Sequence, residues 1–403
     1  MVSSKQKQDT SRYLLMNWEY FVSLPKVAVK NKAVQGIKSG HPWVWRADMI
    51  DYAPVGSPII LCTEQGKHIG FALQDSGEIG ARVLAKNPDK IPDLLKKRIH
   101  VSYDLRRKIL PPHTTAYRLI NGAGDGLEGI VVDIYNDLAI LRIYASCWER
   151  HMDAIVDALD SIPAITNIYR RFGVRNVDGK KGGVLLAGTE PEETLVIQEN
   201  GVRFLVRPKV GQKTGLFLDQ REHRIFLASR SQGQSLINLF SYTGGFSVHA
   251  ALAGATRVCS VDIAQGALDD AKENFRLNGL DPNEHEFICT DVFSWKPERN
   301  ADIVICDPPS LSHKKQSDAA AAQSYIQLAK HSASMVHKGG LLALASCSSR
   351  LSAKQWERSC LEGIHSHGRW SWLWRAYEPP DHPISTTHPE GRYLKFSLLC
   401  KQR

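Results

Sequence analysis

The chain has 403 residues, 43% of them hydrophobic, and a formal net charge of +9 at pH 7. Its length predicts two or three domains, and its apolar runs are all much shorter than the roughly 20 residues of a membrane-spanning helix, which argues against a membrane segment. The eight cysteines form no CxxC pair, which argues against a metal site or a disulfide framework and favours a cytoplasmic location. The basic charge favours a polyanionic partner such as a nucleic acid.

The N-terminal part of the chain predicts a short lead-in followed by a small β domain. Residues 1–24 are polar at their start and predict a flexible segment without a signal-peptide pattern. From 25 to 92, short apolar strands alternate with Gly and Pro, which is typical of a compact β-barrel. Inside it, the segment GHPWVWRADMI carries His41, Trp43 and Arg46, which could stack on bases or contact phosphate. The tryptophans could equally be anchors of a small core.

Residues 93–192 predict a small central α+β domain. The segment PDLLKKRIHVSYDLRRKIL has apolar residues at helical spacing. The segments GDGLEGIVVDIY and LAILRIYAS predict a hairpin, which a helix and two further strands follow. A basic cluster near the end of this domain could contact phosphate, or it could be a solvated hairpin. Its members are Arg170, Arg171, Arg175, Lys180 and Lys181.

From 193 to 403 the patterns of strand and helix alternate. Buried strands are predicted at SLINLFS, RVCSVDI, HEFICTD, ADIVICDPP and LLALASC, with helices near 245–255, 264–278, 319–337 and 353–364. Gly279 and Gly339 stand where helix C-caps are expected, and GRYLKFSLLCK predicts a last strand. This alternation is typical of an α/β domain with a mostly parallel sheet.

Four consecutive predicted strands end in a glycine loop or an acid. The first leads into NLFSYTGGFS, where Gly244 allows the backbone to approach a ligand, and the next three end at Asp262, Asp291 and Asp307. Ligands of such sheets bind at the carboxyl ends of the strands. The loop lacks the GxGxxG spacing, which argues against NAD and FAD. The series therefore predicts an adenosine-bearing cofactor without a pyrophosphate, for which S-adenosylmethionine is the natural candidate.

The ends of the fourth and fifth strands carry the predicted chemistry. The DPPS sequence from Asp307 to Ser310 resembles the motif that methyltransferases place beside a target base, but it lacks the aromatic residue typical of enzymes that methylate exocyclic amines. Cys347 follows the fifth strand and is a candidate nucleophile toward carbon 6 of cytosine, with Asp307 contacting ring nitrogen N3. Cys347 could instead be a buried strand residue.

Two other functions stay open on these residues. One is methylation of a guanine ring nitrogen in ribosomal RNA, which needs no cysteine. The other is a non-catalytic RNA-binding assembly factor that keeps a vestigial cofactor pocket. Replacement of Cys347 separates cytosine from guanine methylation, and a measurement of cofactor binding identifies the non-catalytic factor.

Five motifs occur in order along the chain: KTGLFLDQR, NLFSYTGGFSV, DPPSL, SCSS and HPISTTHPEGRYLK. Together they resemble the bacterial large-subunit ribosomal RNA methyltransferase I family, whose members form 5-methylcytosine in 23S ribosomal RNA. The resemblance covers most of the chain from about 26 to 403. It implies a PUA-like β-barrel at 25–92, a small central domain at 93–192, and a Rossmann-like class I methyltransferase domain with an antiparallel last strand at 193–403.

The resemblance also implies roles for single residues. Cys347 is implied as the nucleophile and Asp307 as the group that contacts the base. The implied cofactor-binding residues are Phe217, Asp219, Arg221, Asn238, Phe240, Ser241, Gly244, Asp262, Asp291 and Asp307. Large-subunit ribosomal RNA is implied as the partner, together with a homodimer and no metal ion. The resemblance leaves the base that removes the carbon-5 proton unassigned.

The chain departs from the family pattern at two places. Glu128 stands where the family more often has a proline, and Ser310 with Leu311 stands where the family often has a lysine followed by an aromatic residue. Because the second segment is expected to face the substrate, this departure bears on which nucleotide is the target. It does not bear on cofactor binding.

Overall fold

The computed structural model describes residues 24–173, 181–310, 317–349 and 351–402. Most of the predicted lead-in, together with Arg175, Lys180 and Leu311, lies outside the described residues. The chain divides into two compact units, one within 1–108, 118–191 and 384–389 and the other within 109–117, 192–383 and 390–403. The predicted three-domain division stays a prediction. No helix among the described residues is long and apolar enough to cross a membrane.

The first unit begins with a five-stranded sheet that matches the predicted small β domain. Its strands are β1 (Lys26–Ala28), β2 (Trp43–Trp45), β3 (Pro58–Cys62), β4 (His68–Gln74) and β5 (Ile79–Ala85), in the order β1-β3-β4-β5-β2. A bridge between Val29 and Met49 joins the chain beyond the two edge strands, as a barrel requires. Helix α1 (Asn31–Lys38) buries Ile37 against this sheet. This helix was not predicted from the sequence.

The second sheet of this unit contains the predicted hairpin. Helix α2 (Ile91–Ile109) precedes strands β6 (Ala116–Asn121), β7 (Ile130–Tyr135) and β8 (Leu138–Ile143), and helix α3 (Met152–Asp160) precedes β9 (Asn167–Arg171) and β10 (Gly183–Ala187). The order is β10-β9-β8-β7-β6, and β7 pairs antiparallel with β8 as predicted. Glu128, the departure from the family proline, forms an ion pair with Arg82 on β5. This carboxylate therefore links the two sheets of the unit.

The second unit is built on a seven-stranded sheet. After the hairpin β11 (Leu195–Glu199) and β12 (Val202–Val206), its strands are β13 (Ser235–Leu239), β14 (Arg257–Asp262), β15 (Glu286–Cys289), β16 (Ala301–Cys306), β17 (Val336–Ser346), β18 (Trp370–Ala376) and β19 (Lys395–Lys401). The order is β15-β14-β13-β16-β17-β19-β18, with the first five strands parallel and β19 antiparallel to both of its neighbours. The mostly parallel sheet and the antiparallel last strand are confirmed.

Helix α4 (Arg221–Ala228) precedes the first strand of this sheet and was not predicted. The four predicted helices are present as α5 (Gly245–Leu252), α6 (Gln265–Leu277), α7 (Asp318–Ser334) and α8 (Ala353–Ile364). The core is made of fully buried strand residues such as Ile237, Val304 and Leu342. The cofactor and substrate of such a sheet bind beyond the carboxyl ends of its strands, which places the chemistry at that edge.

Two local features of this unit differ from the sequence-based expectation. Strand β18, at the edge of the sheet, was not predicted. Gly279 has φ +73° directly after α6, as a helix C-cap requires. The same prediction for Gly339 is wrong, because α7 ends at Ser334 and Gly339 lies inside β17, where the register against β16 shifts. At this irregularity Gly339 has φ +83°, a conformation that glycine adopts without strain.

Candidate active site

The carboxyl ends of the parallel strands and the segment 212–220 line a cavity of about 300 Å³ in the second unit. Four consecutive strand ends contribute to it, as the series of strand-end residues predicted. Eight of the predicted site residues lie on its wall, namely Phe217, Asp219, Phe240, Ser241, Asp262, Asp291, Asp307 and Cys347. The cavity therefore brings the predicted cofactor residues and the predicted reacting residues into one space.

The loop after β13 forms the floor of this cavity through an unusual backbone. Phe240 and Tyr242 have φ +58° and +48°, and Gly244 has φ +75°. A side chain at Gly244 would place its Cβ 3.0 Å from the Cβ of Ala271 on α6, so glycine is required there. Left-handed conformations of non-glycine residues cost on the order of 1–3 kcal/mol and cluster at functional sites.

The acids at the ends of β14 and after β15 are held in place by backbone amides. Asp262 accepts hydrogen bonds from the amide nitrogens of Tyr242 at 2.8 Å and Ala264 at 2.9 Å. Asp291 accepts one from the amide of Phe293 at 3.0 Å. Both carboxylates therefore have fixed positions on the cavity wall.

Large apolar side chains lie beside these two acids. Phe240, Ile263 and Phe293 line the same end of the cavity, and Ile263 is 73% exposed. The ring centroids of Phe240 and Phe293 are 6.2 Å apart. Apolar walls next to fixed carboxylates suit a purine ring and a ribose, so this end of the cavity fits the adenosine part of S-adenosylmethionine.

Asp307 and Cys347 lie at the ends of β16 and β17 on the wall of the same cavity. Asp307 accepts a hydrogen bond from Nε2 of Gln220 at 2.9 Å. Burial, with the nearby negative charge of Asp219, raises the pKa of Asp307 to about 7. Burial also raises the pKa of the Cys347 thiol to about 11, against the opposing effect of Lys213. The alternative that Cys347 is a core residue does not fit its place on the cavity wall.

Asp219 is held ionised by its partners. Its carboxylate forms an ion pair with Lys213 and accepts a hydrogen bond from the Tyr393 hydroxyl at 2.7 Å. Although burial alone would raise the pKa of Asp219, Lys213 and His382 hold it well below its usual value. Lys213, Gln220 and Tyr393 were not predicted as site residues, although KTGLFLDQR and GRYLK contain them. These three residues join the site through contacts between distant segments of the chain, which a local sequence pattern does not show.

Three predicted cofactor residues lie behind the cavity wall and not on it. Arg221 is buried and donates to Asp381 from Nη2 at 2.6 Å. Asn238 is buried and donates to Oγ of Ser247 at 2.9 Å. Gly244 shapes the loop described above. These three residues support residues that line the cavity, and their predicted contact with the cofactor stays a prediction.

The predicted RNA-binding residues of the GHPWVWRADMI segment have different surroundings. The Trp43 ring packs against those of His41 and His388, with centroids 5.4 and 4.2 Å away. Trp43 therefore fits the alternative of a packed anchor. Arg46 is exposed, and its guanidinium lies 4.8 Å from the centre of the Tyr52 ring. Arg46 and the neighbouring Trp45 both face solvent.

The predicted phosphate contact does not fit Arg170. This residue is 7% exposed, and its guanidinium donates to the Glu149 carboxylate from Nη1 at 2.8 Å. A phosphate would have to displace Glu149 to reach it. Arg171 follows at the end of β9 and is half-buried, and its predicted contact stays a prediction.

Within the described ranges, no three His, Cys, Asp or Glu side chains group in a way that could hold a metal ion.

Comparisons with known proteins agree with this geometry. Residues 151–354 match the family described as S-adenosylmethionine-dependent methyltransferase, and residues 27–86 match a PUA-like domain. These matches confirm the predicted fold class.

Relatives and solved structures cover nearly the whole chain. The ribosomal RNA large subunit methyltransferase of Deinococcus radiodurans is 31% identical over 396 residues, which cover 93% of this chain and 97% of that protein. The ribosomal RNA large subunit methyltransferase I of Alteromonas mediterranea is 31% identical over 383 residues, which cover 91% and 96%. A solved methyltransferase complexed with SAH has a TM-score of 0.84 and 26% identity, covering 94% of this chain and 100% of that one. Together with the family match, this confirms S-adenosylmethionine as the cofactor.

Proposed function

Because this chain belongs to the family of S-adenosylmethionine-dependent methyltransferases, we propose that it forms 5-methylcytosine in large-subunit ribosomal RNA through a covalent bond to Cys347. One observation carries the proposal: the Cys347 thiol and the Asp307 carboxyl line the same cavity as the strand-end acids that suit the cofactor. The names of the relatives support ribosomal RNA as the substrate.

We place the cofactor at the end of the cavity that holds Asp262, Asp291 and Phe240. Asp262 would accept hydrogen bonds from the ribose hydroxyls, and Asp291 would bind the adenine amino group. When bound there, the cofactor supplies an electrophilic methyl group. The remaining chemistry belongs to side chains of this protein.

Cys347 makes carbon 5 of cytosine reactive, because that carbon is a poor nucleophile in the intact ring. The thiol loses its proton, and the sulfur forms a bond to carbon 6 while N3 of the ring gains a proton. Carbon 5 is then enamine-like and can accept a methyl group. After methylation a base removes the carbon-5 proton, the carbon 5–carbon 6 double bond re-forms as Cys347 leaves as a thiolate, and N3 returns its proton to the Asp307 carboxylate.

Asp307 suits the proton transfer to N3. With a pKa of about 7, its carboxyl is protonated in a substantial fraction of molecules at neutral pH. A protonated carboxyl donates a hydrogen bond to the N3 acceptor of cytosine, and it can give up its proton as sulfur adds. Gln220 holds the other oxygen in place. The target base has to be unpaired or flipped out to reach this cavity.

The first unit supplies the expected RNA-binding surface. We propose that exposed residues around Arg46 contact the ribosomal RNA, as the match to a PUA-like domain supports. A cytoplasmic location and a homodimer stay predictions.

Incubation of the protein with labelled cofactor and large-subunit ribosomal RNA, followed by digestion to nucleosides, tests the proposal. We expect the label in 5-methylcytidine, and we expect Cys347→Ala to abolish it. Cys400→Ala is the matched control, because Cys400 is partly exposed at the end of β19 and does not line the cavity.

Each of the two alternative functions predicts a different result, one in the labelling assay and one in a measurement of cofactor binding. Label in a methylated guanosine that survives Cys347→Ala supports the guanine enzyme and contradicts the proposal. Absence of cofactor binding in calorimetry supports the non-catalytic assembly factor.

A further inference from the structure

Lys213 has an unusual position for a lysine. Its ammonium forms an ion pair with the buried Asp219 carboxylate and lies 4.6 and 5.7 Å from the ring centres of Phe217 and Tyr393. Two rings and a carboxylate therefore surround a cation that lines the same cavity as Cys347. A cation held on aromatic faces in a partly dry site keeps a fixed place and interacts strongly with nearby charges.

The backbone at Lys213 is strained in order to place this side chain. Lys213 has φ +53°, in the left-handed region that disfavours residues with a Cβ. Such a conformation costs on the order of 1–3 kcal/mol, and glycine would avoid the cost. The chain has glycine two residues before and two residues after, at Gly211 and Gly215. A lysine at the strained position points to a requirement for its charge.

The charges around the thiol show what that requirement is. Asp219 and Asp307 line the cavity with Cys347, and both oppose a third negative charge there. Arg224 also lines the cavity, but Nε of Arg224 donates to the buried Glu199 carboxylate at 2.7 Å. Lys213 also pairs with a carboxylate, that of Asp219, but of these two cations it is the one whose charge lowers the pKa of Cys347. Lys213 therefore provides a positive charge that can offset a thiolate in this space.

The other elements packed around Cys347 carry two more titratable groups. Tyr325 on α7 exchanges a hydrogen bond with Ser346 through its hydroxyl at 2.8 Å. Lys395 on β19 donates to the backbone carbonyls of Ser348 and Tyr393, and its charge also interacts with Cys347, although burial lowers the pKa of Lys395. Lys395 holds the strand end on which Cys347 lies.

We propose that Lys213 is the positioning residue that permits ionisation of Cys347. Asp219 limits this ionisation by pairing with the same ammonium. This inference rests on the proposed function for its purpose, because the thiolate is the nucleophile of that reaction. The physical claim concerns only the charge balance of the cavity. The direction of the pKa effects supports it, since Lys213 opposes the rise that burial imposes on Cys347.

The test is the pH dependence of Cys347 alkylation in the full-length protein without RNA or cofactor. Iodoacetamide reacts with the thiolate, so the rate follows the ionised fraction. Mass spectrometry of the Cys347 peptide gives that rate at each pH. Lys213→Met keeps an unbranched side chain of similar length but removes its charge. We expect the alkylation rate of Cys347 to fall on the order of tenfold, which corresponds to a Cys347 pKa one unit higher. Lys213→Arg should restore most of the rate.

A second variant gives the opposite sign. Asp219→Asn removes a negative charge near the thiol and releases Lys213, so we expect Cys347 to react faster than in the wild type. A purely structural disturbance would not move the two variants in opposite directions. Lys272→Met is the matched control, because Lys272 on α6 also lies over an aromatic ring, 5.7 Å from the centre of Phe287, but does not line the cavity.

The same digests report whether each variant is folded. Cys259, Cys306 and Cys360 are buried and should stay unreactive. If Lys213→Met exposes them, the sign of the Asp219→Asn effect decides the question. An unchanged Cys347 rate in a folded Lys213→Met variant overturns the inference, as does a slower rate in Asp219→Asn. Absence of 5-methylcytidine in the RNA assay, with these alkylation shifts present, would reject the proposed function and leave the inference standing.

Discussion

Gln220 donates a hydrogen bond from Nε2 to Oδ2 of Asp307 at 2.9 Å. The amide oxygen of Gln220 in turn contacts Nδ1 of His223, which has to donate because the amide nitrogen is already directed at Asp307. His223 is buried, and burial lowers its pKa to about 3, so it is neutral at physiological pH. Asp307 is thus oriented by a neutral donor, which leaves its pKa near 7.

The raised pKa of Asp307 predicts a specific pH dependence of stability. A carboxyl with a folded-state pKa above its unfolded value stabilises the protein fully below the unfolded pKa, and this contribution is lost as the pH rises toward about 7. We expect the wild type to lose about 4 kcal/mol relative to Asp307→Asn between pH 4 and pH 8, because the pKa of Asp307 is raised by about three units. Urea unfolding at several pH values measures the difference. Parallel curves for the two proteins would contradict the shifted pKa.

The buried pair of Arg221 and Asp381 should be essential for stability. Both side chains are almost fully buried, with Nη2 of Arg221 2.6 Å from Oδ1 of Asp381. Asp381→Ala removes the buried partner of this cation and leaves it the longer pair with the partly exposed Glu222, 3.3 Å from Nε, so we expect the free energy of unfolding to fall by about 3–5 kcal/mol. The exposed pair of Arg276 and Glu273 is the control, where removal should cost less than about 0.5 kcal/mol. Similar losses in the free energy of unfolding at the two ion pairs would show that burial does not determine how strongly a broken pair destabilises the protein.

Asp262 should determine cofactor affinity. Its carboxylate is fixed by the amides of Tyr242 and Ala264 and faces the cavity. A hydrogen bond to a charged group contributes about 1.5–3 kcal/mol, so we expect Asp262→Ala to weaken S-adenosylmethionine binding roughly 10- to 100-fold. Isothermal titration calorimetry measures this. Asp281→Ala, outside the cavity wall, is the control. Equal affinities for wild type and Asp262→Ala would remove Asp262 from the cofactor site.

Arg46 should contribute to RNA affinity through its charge. It is exposed and stacked on Tyr52 in the first unit. We expect Arg46→Ala to weaken binding of a ribosomal RNA fragment and to reduce the slope of log affinity against log salt by about 1, as the loss of one phosphate contact predicts. Arg230→Ala removes an arginine stacked on Phe226 in the second unit and serves as the control. An unchanged salt slope for Arg46→Ala would place the RNA elsewhere.

The sequence predicted the parts of the site that follow from strand pattern. Asp262, Asp291, Asp307 and Cys347 each come at or just beyond the end of a predicted strand, and parallel strands bring their carboxyl ends together. The strand before Asp291, β15, was predicted to be buried, but it lies at the edge of the sheet and none of its residues is buried. The hydrophobic pattern of each strand, and the position of each residue at the end of its strand, were sufficient to predict that these four residues meet. The fold class followed from the same alternation of strand and helix.

The rest of the site depends on contacts that no local pattern shows. Lys213 and Tyr393 are 180 residues apart and meet at Asp219, so their roles appear only in the folded chain. Arg170 was predicted from charge alone, and the structure pairs it with Glu149. Charge in a sequence does not distinguish a solvated cation from one that is already paired.

The most direct test of the account is to trap the covalent bond between Cys347 and the base. RNA in which carbon 5 of cytosine carries fluorine cannot lose a proton there, so the adduct should persist after methylation. We predict that mass spectrometry of the protein incubated with this RNA and S-adenosylmethionine finds a methylated fluorocytidine on the Cys347 peptide, and none in Cys347→Ala. A protein that methylates ordinary ribosomal RNA yet yields no adduct with the fluorinated RNA would contradict the account.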